Sequence, residues 1–214
     1  SKIKLVTIDI EVKSEKGFPT VQACDEEMLC ITLQDYATKR ILTFGVGPYH
    51  HNDPMIKYVQ CSDEYDMLQH FIKFWSHDPP EVVTGWNCQL YDIAYLAKRI
   101  TRVLGEKACK KLSPWGLVTH EEIYLQGRAH TVYDIGGVTV LDYLDLYRKF
   151  TYKAQESYKL DYIGEVELGK KKLDHSEFDT FKDFYTKAWN KFVDYNIQDV
   201  RLVDALEEKM KLIE

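Results

Sequence analysis

An α/β layered domain is predicted by three features: strand-like runs crowd the N-terminal part of the chain, helical periodicity takes over downstream, and both draw on one apolar complement. The 214 residues are 45% apolar and 13% aromatic, enough for one sizeable core, so a single domain over 1–214 is expected. Lys and Arg number 28 against 34 Asp and Glu, a formal charge of −6. That balance excludes a generally basic, nucleic-acid-coating surface but leaves room for local basic patches. No apolar run approaches the ~20 residues a membrane span requires. The start, Ser1-Lys2-Ile3-Lys4-Leu5-Val6-Thr7-Ile8, lacks a signal-peptide layout and enters a strand pattern at once, as expected of a piece of something longer. No internal repeat or low-complexity segment is present.

In Ile3 to Val12, residues Val6, Ile8, Ile10 and Val12 alternate with Leu5, Thr7, Asp9 and Glu11, the period of a strand. Met28 to Gln34, Arg40 to Val46 and Ile56 to Gln60 read as further strands, and the four together as an antiparallel meander. Ser62 or Asp63 caps a helix carrying Leu68, Phe71, Ile72 and Trp75 on one stripe, which Pro79-Pro80 ends. A short strand, Glu81 to Thr84, precedes Gly85-Trp86-Asn87 and a second helix with Ile93, Leu96, Ala97, Ile100 and Leu104 inward and Gly105 as its stop. Between His120 and Leu141 the pattern returns to β-structure, with Gln126-Gly127-Arg128 as a turn and Gly136-Gly137 as a bulge or bend. From about Asp179 the chain reads as helix, with Ala188, Phe192, Tyr195, Asp199, Leu202 and Leu206 down one face.

Cys24, Cys30, Cys61, Cys88 and Cys109 are odd in number and form no CxxC pair, so neither a disulfide framework nor a zinc knuckle is indicated and a reducing compartment fits. His50-His51 beside Asp53 sit in a Pro/Gly/Asn-rich stretch and read as a solvated loop, not as metal ligands.

Asp9 and Glu11 lie two apart on a strand of Val and Ile, so both carboxylates leave one face about 6.6 Å apart. They either call for a cation or mark an exposed strand end. Asp199 and Tyr195 lie four apart on the last helix, hence on one face among apolar neighbours, unless that face is a solvated edge. Asp92 opens the second helix, where a plain role at the positive helix end explains it as well. Taken together, Asp9, Glu11, Asp92 and Asp199 form an all-oxygen set suited to Mg²⁺ or Mn²⁺. Two such ions activate a water and stabilise the leaving oxygen of a phosphodiester, so hydrolytic phosphoryl transfer is the chemistry implied.

Asp9-Ile10-Glu11, Asn87-Cys88-Gln89-Leu90-Tyr91-Asp92 and Tyr195-Asn196-Ile197-Gln198-Asp199 resemble, in order, the three motifs of the proofreading exonuclease of family B DNA polymerases. Thr84-Gly85-Trp86-Asn87, Leu141-Asp142-Tyr143-Leu144-Asp145-Leu146-Tyr147 and Ser157-Tyr158-Lys159-Leu160-Asp161-Tyr162-Ile163 extend the likeness, most of all to the replicative polymerases of T-even-type bacteriophages. The resemblance implies an RNase H-like (DnaQ-like) fold: a mixed five-stranded sheet flanked by helices, with a β-hairpin inserted at about 121–141. It implies 3′-to-5′ removal of deoxynucleotides from single-stranded or frayed DNA, with two divalent ions, Mg²⁺ or Mn²⁺. Asp9, Glu11 and Asp199 would hold the first ion, Asp9 would bridge to the second, and Asp92 would reach it partly through water. Glu11 and Tyr195 would orient the attacking water. A histidine variant of the superfamily places His five residues before the last acid; Asp194 stands there, so the tyrosine type is indicated.

By the same resemblance Asn87 and Tyr91 meet the terminal nucleotide and Phe18, in Gly17-Phe18-Pro19, packs on the DNA end, where stacking is sequence-tolerant. Phe18 also reads as a turn aromatic tucked into the core. The hairpin would help part primer from template, with Arg128 at its tip either contacting DNA or simply solvated. Lys170-Lys171-Lys172 reads as a solvated loop or a DNA-backbone contact, and the 166–178 segment matches no pattern. Expected partners are a single-stranded 3′ end or primer-template DNA and, in a full-length protein, the polymerase domains and a sliding clamp, in the cytoplasm of a bacterial host if phage-encoded. Without polymerase domains the chain is expected to degrade DNA, not to synthesise it. The alternatives are an inactive exonuclease-like module that binds DNA or a partner, and an exoribonuclease of the same fold.

Overall fold

A computed structural model describes residues 2–170 and 173–214. Lys171 and Lys172 of the basic run lie outside the described residues. In chain order the elements are β1 (Leu5–Val12), β2 (Met28–Asp35), β3 (Ile41–Gly45), β4 (Ile56–Gln60), α1 (Glu64–His77), β5 (Val82–Gly85), α2 (Asp92–Leu104) and α3 (Glu106–Lys110). They continue with β6 (Val118–Leu125), β7 (Arg128–Ile135), β8 (Thr139–Asp142), α4 (Tyr143–Phe150), α5 (Leu160–Leu168), α6 (Phe181–Lys187) and α7 (Trp189–Met210).

The α/β class holds, and among the described residues the main sheet has six strands in the order β4-β3-β2-β1-β5-β8. The expected five-stranded count is short by one because β8, read as part of the hairpin, pairs with β5 and adds an edge. The expected meander is also corrected: β1–β2 and β2–β3 are antiparallel, but β3 and β4 run parallel. A parallel neighbour needs a long return connection. The 46–55 segment supplies it, fastened to α7 where the His50 N–H donates to Asn190 at 2.7 Å and Arg201 pairs with Asp53 at 2.6 Å. The His50-His51-Asp53 stretch is therefore an exposed but docked loop, with the His51 ring stacked on Tyr49.

The two faces of the sheet are covered by different helices. Val6, Ile8, Ile10 and Val12 join Phe71 and Trp75 of α1 and Ile93, Leu96 and Ile100 of α2 in the larger core. The opposite face packs Cys30, Ile41 and Ile56 against Phe184, Phe192 and Ile197 of α6 and α7, and α7 in turn carries Leu202 and Leu206 against α4 and α5. The last helical stretch is broken at Ala188 (φ −140°, ψ 58°), contrary to the continuous stripe read through that residue. The break folds the aromatics of α6 back onto α7, with Phe184 and Phe192 5.3 Å apart edge to face.

Strands β6 and β7 form a separate two-stranded sheet over Val118–Ile135, which begins before the expected 121–141 and ends short of it because Thr139–Asp142 joins the main sheet beside β5. Gln126 and Gly127 at its tip both take positive φ, 52° and 74°, as a two-residue hairpin turn demands. All five cysteines are free and buried. No helix among the described residues is long and apolar enough to cross a membrane.

One buried ion pair locks α1 to α2. Arg99 donates to both oxygens of Glu64 at 2.8 and 2.9 Å, and the Met28 N–H donates to the same carboxylate. Removing one partner strands the other charge in the interior. Glu64→Ala is expected to lower the unfolding free energy by about 3–5 kcal/mol, measured by urea titration.

Candidate active site

Alternation along β1 sends Val6, Ile8, Ile10 and Val12 into the larger core and turns Thr7, Asp9 and Glu11 to the face that α7 crosses. On α7, Asn196 and Asp199 are three residues apart and so share a face, and Tyr195 lies one turn before Asp199. The packing brings Asp9, Glu11 and Asp199 together: one carboxylate oxygen from each lies within 4.8 Å of the others. Three oxygen donors at this spacing suit a hard divalent cation. Asp199 is 6% exposed, while Asp9 and Glu11 are half-buried. The site is thus walled on one side and open on the other.

Asp9 is oriented by a buried hydrogen-bond relay. The Asn196 amide donates to Asp9 Oδ2 at 2.7 Å, and its carbonyl oxygen accepts from the Thr32 hydroxyl. Thr32 has then spent its only proton, so Thr43, 2.9 Å away, must donate to Thr32. Thr32, Thr43 and Asn196 are fully buried. Asn196 lies inside a motif recognised in the sequence, but nothing in helical periodicity marks it as the group that ties α7 to β1.

Asp92 stands beside the three-carboxylate group, not within it. It is 3% exposed, and its Oδ1 accepts the Ile10 N–H at 2.9 Å, from the β1 residue between the two acids. Burial pushes its carboxyl well above the usual carboxylate range, Asp142 and Asp199 push further, and the Ile10 N–H opposes them. All five residues singled out for catalysis, Asp9, Glu11, Asp92, Tyr195 and Asp199, line one cavity of about 530 Å³.

Phe18, Asn87 and Tyr91 line the same cavity. Phe18 is 76% exposed with its ring 5.5 Å from that of Tyr91, so it is not the tucked core aromatic. Tyr91 donates to the Pro19 carbonyl at 2.9 Å and braces the Phe18 loop from below. Arg128 is exposed at the hairpin tip and lies with Phe18, Asn87 and Tyr91 along an adjoining groove of about 1030 Å³. Gln22 donates to the Ala129 carbonyl at 2.7 Å and links the hairpin to the Phe18 loop.

The turn that presents Asn87 and Tyr91 depends on two residues the sequence reading did not single out. Gly85 ends β5 so close to β1 that a Cβ there would meet the Ile8 carbonyl at 2.7 Å. Asp142 accepts the N–H groups of Asn87 and Gln89, each at 3.0 Å, and of Leu144 at 3.1 Å, so one carboxylate holds the turn and caps α4. Asn87 itself sits at φ 60°, and its clamped N–H keeps it there. A signal was available in Asp142, an acid directly before a helix, but its second task is visible only once β5 and β8 pair.

A second cluster, Cys61, Asp66 and His70, also places three ligand-type atoms within 4.8 Å of one another. Its groups are engaged in capping α1: the Ser62 N–H donates to Asp66 at 2.9 Å and the His70 ring bonds the Asp66 carbonyl at 2.8 Å. Burial, with Asp66 and Asp63, raises the Cys61 thiol to about 11, which disfavours a thiolate ligand.

Burial raises Asp142 to about 6, with Asp145 adding to it and the three N–H donors opposing. A carboxyl whose folded-state pKa exceeds its unfolded value binds more protons when folded, so it adds stability as pH falls through about 6. The unfolding free energy of the wild type relative to Asp142→Asn is expected to rise as pH falls from about 7 to about 5, measured by denaturant titration in EDTA.

A family model for the exonuclease domain of family B DNA polymerases matches residues 1–163. The DNA-directed DNA polymerase of Escherichia phage RB69 is 29% identical over 100% of this chain and 26% of its own length. That of Enterobacteria phage T4 is 28% identical over 96% of this chain and 25% of its own length. The DNA polymerase catalytic subunit of Psittacid herpesvirus 1 is 26% identical over 97% of this chain. The chain thus spans about a quarter of the length of the two phage relatives. With the family model covering most of its length and the three acidic motifs meeting in one cavity, the chain belongs to the exonuclease domain family of family B DNA polymerases.

Proposed function

We propose that the domain hydrolyses the terminal phosphodiester of a single-stranded or frayed DNA 3′ end, releasing deoxynucleoside monophosphates, as the proofreading part of a DNA-directed DNA polymerase. The observation that carries this reading is the convergence of Asp9, Glu11 and Asp199 within 4.8 Å, one helical turn from Tyr195, in a chain of this family. Asp9, Glu11 and Asp199 would hold one divalent ion, Mg²⁺ or Mn²⁺, and Asp9 and Asp92, the latter partly through water, a second. When bound, such ions activate water and neutralise charge developing on the leaving oxygen.

The residues of the chain divide the remaining work. A water oxygen bonds to the terminal phosphorus, the bond from phosphorus to the preceding 3′ oxygen breaks, and that oxygen takes a proton. Glu11 and the Tyr195 hydroxyl orient the water. Phe18 and Tyr91 offer ring faces to the terminal bases, an interaction indifferent to sequence, and Asn87 adds a polar contact. Arg128, at the hairpin tip, meets the strand as it leaves the groove. In the longer protein the polymerase domains and a sliding clamp would bring primer ends to this groove, in the cytoplasm of a bacterial host if the protein is phage-encoded.

Incubating the domain with 3′-labelled single-stranded DNA and Mg²⁺ is expected to release mononucleotide. EDTA or Asp9→Ala should abolish that release, and a matched RNA oligonucleotide should be cut more slowly. Absence of metal-dependent release from the wild type overturns the reading, and faster cleavage of RNA moves the substrate to the other sugar. Tyr195→Phe is expected to slow hydrolysis by up to about 100-fold while Mn²⁺ affinity, measured by calorimetry, persists. An equal loss of Mn²⁺ affinity would show Tyr195 to support the ion site and not the water.

A further inference from the structure

The segment that matched no sequence pattern delivers an imidazole to the site. His175 lies in the loop between α5 and α6, half-buried, and lines both cavities that meet at Asp9, Tyr195 and Asp199. Its ring stacks on Phe184 with centroids 5.3 Å apart and planes 13° from parallel. It meets the Tyr195 ring edge to face, 5.4 Å away at 80°. Phe184 touches Tyr195 in the same manner, 5.5 Å away at 87°, so His175 and Phe184 form an aromatic corner against the tyrosine. The two are not equivalent. Phe184 is fully buried in the core between sheet and helices, whereas His175 reaches the tyrosine from the cavity rim.

The loop is built to hold that ring. Asp174 accepts the Ser176 N–H at 2.8 Å and the Ser176 hydroxyl at 2.7 Å, a local turn on one side of His175. The Phe178 N–H donates to the His175 carbonyl at 3.1 Å on the other side. Lys191 of α7 pairs with Glu177 and fastens the loop to the helix that carries Tyr195. Edge-to-face aromatic pairs have a preferred geometry, so this contact restricts how the tyrosine ring tilts into the cavity.

We propose that His175 is a positioning residue for the exonuclease reaction, holding the Tyr195 ring so that its hydroxyl faces the attacking water. The inference rests on the water-orienting role given to Tyr195 under the proposed function. His175 acts through the ring of its neighbour, and its ring, not its protonation, is what the role requires. A phenyl ring therefore substitutes for the imidazole and a methyl group does not.

The test pairs a spectroscopic readout with kinetics. In the domain labelled with ¹³C-tyrosine, the Tyr195 ring resonances are assigned by their loss in Tyr195→Phe. His175→Ala is expected to shift those resonances, and His175→Phe to restore most of the ring-current effect; unchanged resonances in His175→Ala overturn the inference. On 3′-labelled single-stranded DNA with Mg²⁺, His175→Ala should lower kcat roughly 3- to 10-fold with KM little changed, and His175→Phe should recover it. In a Tyr195→Phe background, His175→Ala should have no further effect on kcat. An equal fold-loss in that background, or no recovery by phenylalanine, sinks the positioning role while leaving the nuclease reading intact. A wild type with no metal-dependent release would instead remove the nuclease reading itself, and this role with it.

Discussion

The hydrogen bond from the Asn196 amide to Asp9 is the contact on which the site depends. It crosses from α7, the longest helix among the described residues, to β1, the strand that carries two of the acids, in an interior where an unpaired amide is costly. The Thr43–Thr32–Asn196–Asp9 relay holds α7 in one register on the sheet, because sliding it would break the bonds of Asn196 to both Thr32 and Asp9. With α7 fixed in that register, Asp199 falls beside Asp9 and Glu11 and Tyr195 falls one turn away. A polar network buried between apolar layers here specifies position more than it adds stability.

The same packing concentrates negative charge where water is scarce. Asp9, Glu11, Asp92 and Asp199 share a cavity, and Asp142 stands behind the adjoining turn. Burial raises Asp92 and Asp142 above the usual carboxylate range. Like charges this close repel one another, and a divalent cation held among them would relieve that repulsion. The acidity that excludes a generally basic surface is, at this site, suited to holding a divalent cation.

Some of the structure was legible because local chemistry admits few alternatives. Gln126-Gly127-Arg128 reads as a turn and Ser62 or Asp63 as the cap of α1, and the structure narrows these to Gln126-Gly127, both at positive φ, and to Asp63, whose side chain accepts the Asp66 N–H. The parallel pairing of β3 and β4 was not legible: alternation reveals which face a residue takes, not which way a neighbouring strand runs. The helix break at Ala188 was hidden for a related reason, since alanine favours helix and only the return of the α6 aromatics onto α7 explains the break. Phe18 left two readings open because Gly17 and Pro19 account for a turn whether its side chain points in or out.

By itself the sequence singled out the candidate residues for the chemistry. Asp9 and Glu11 share a strand face by the two-residue period, Tyr195 and Asp199 share a helix face by the four-residue spacing, and the three motifs occur in the order of one family. Only the tertiary structure decided that these faces meet, that Asp92 stands beside the carboxylate group instead of inside it, that Phe18 is exposed over Tyr91, and that His175 reaches Tyr195. The physical reason is one of range. Backbone periodicity orients a side chain within its own element, whereas the distance between side chains far apart in the chain is set by how sheet and helices pack into a single core.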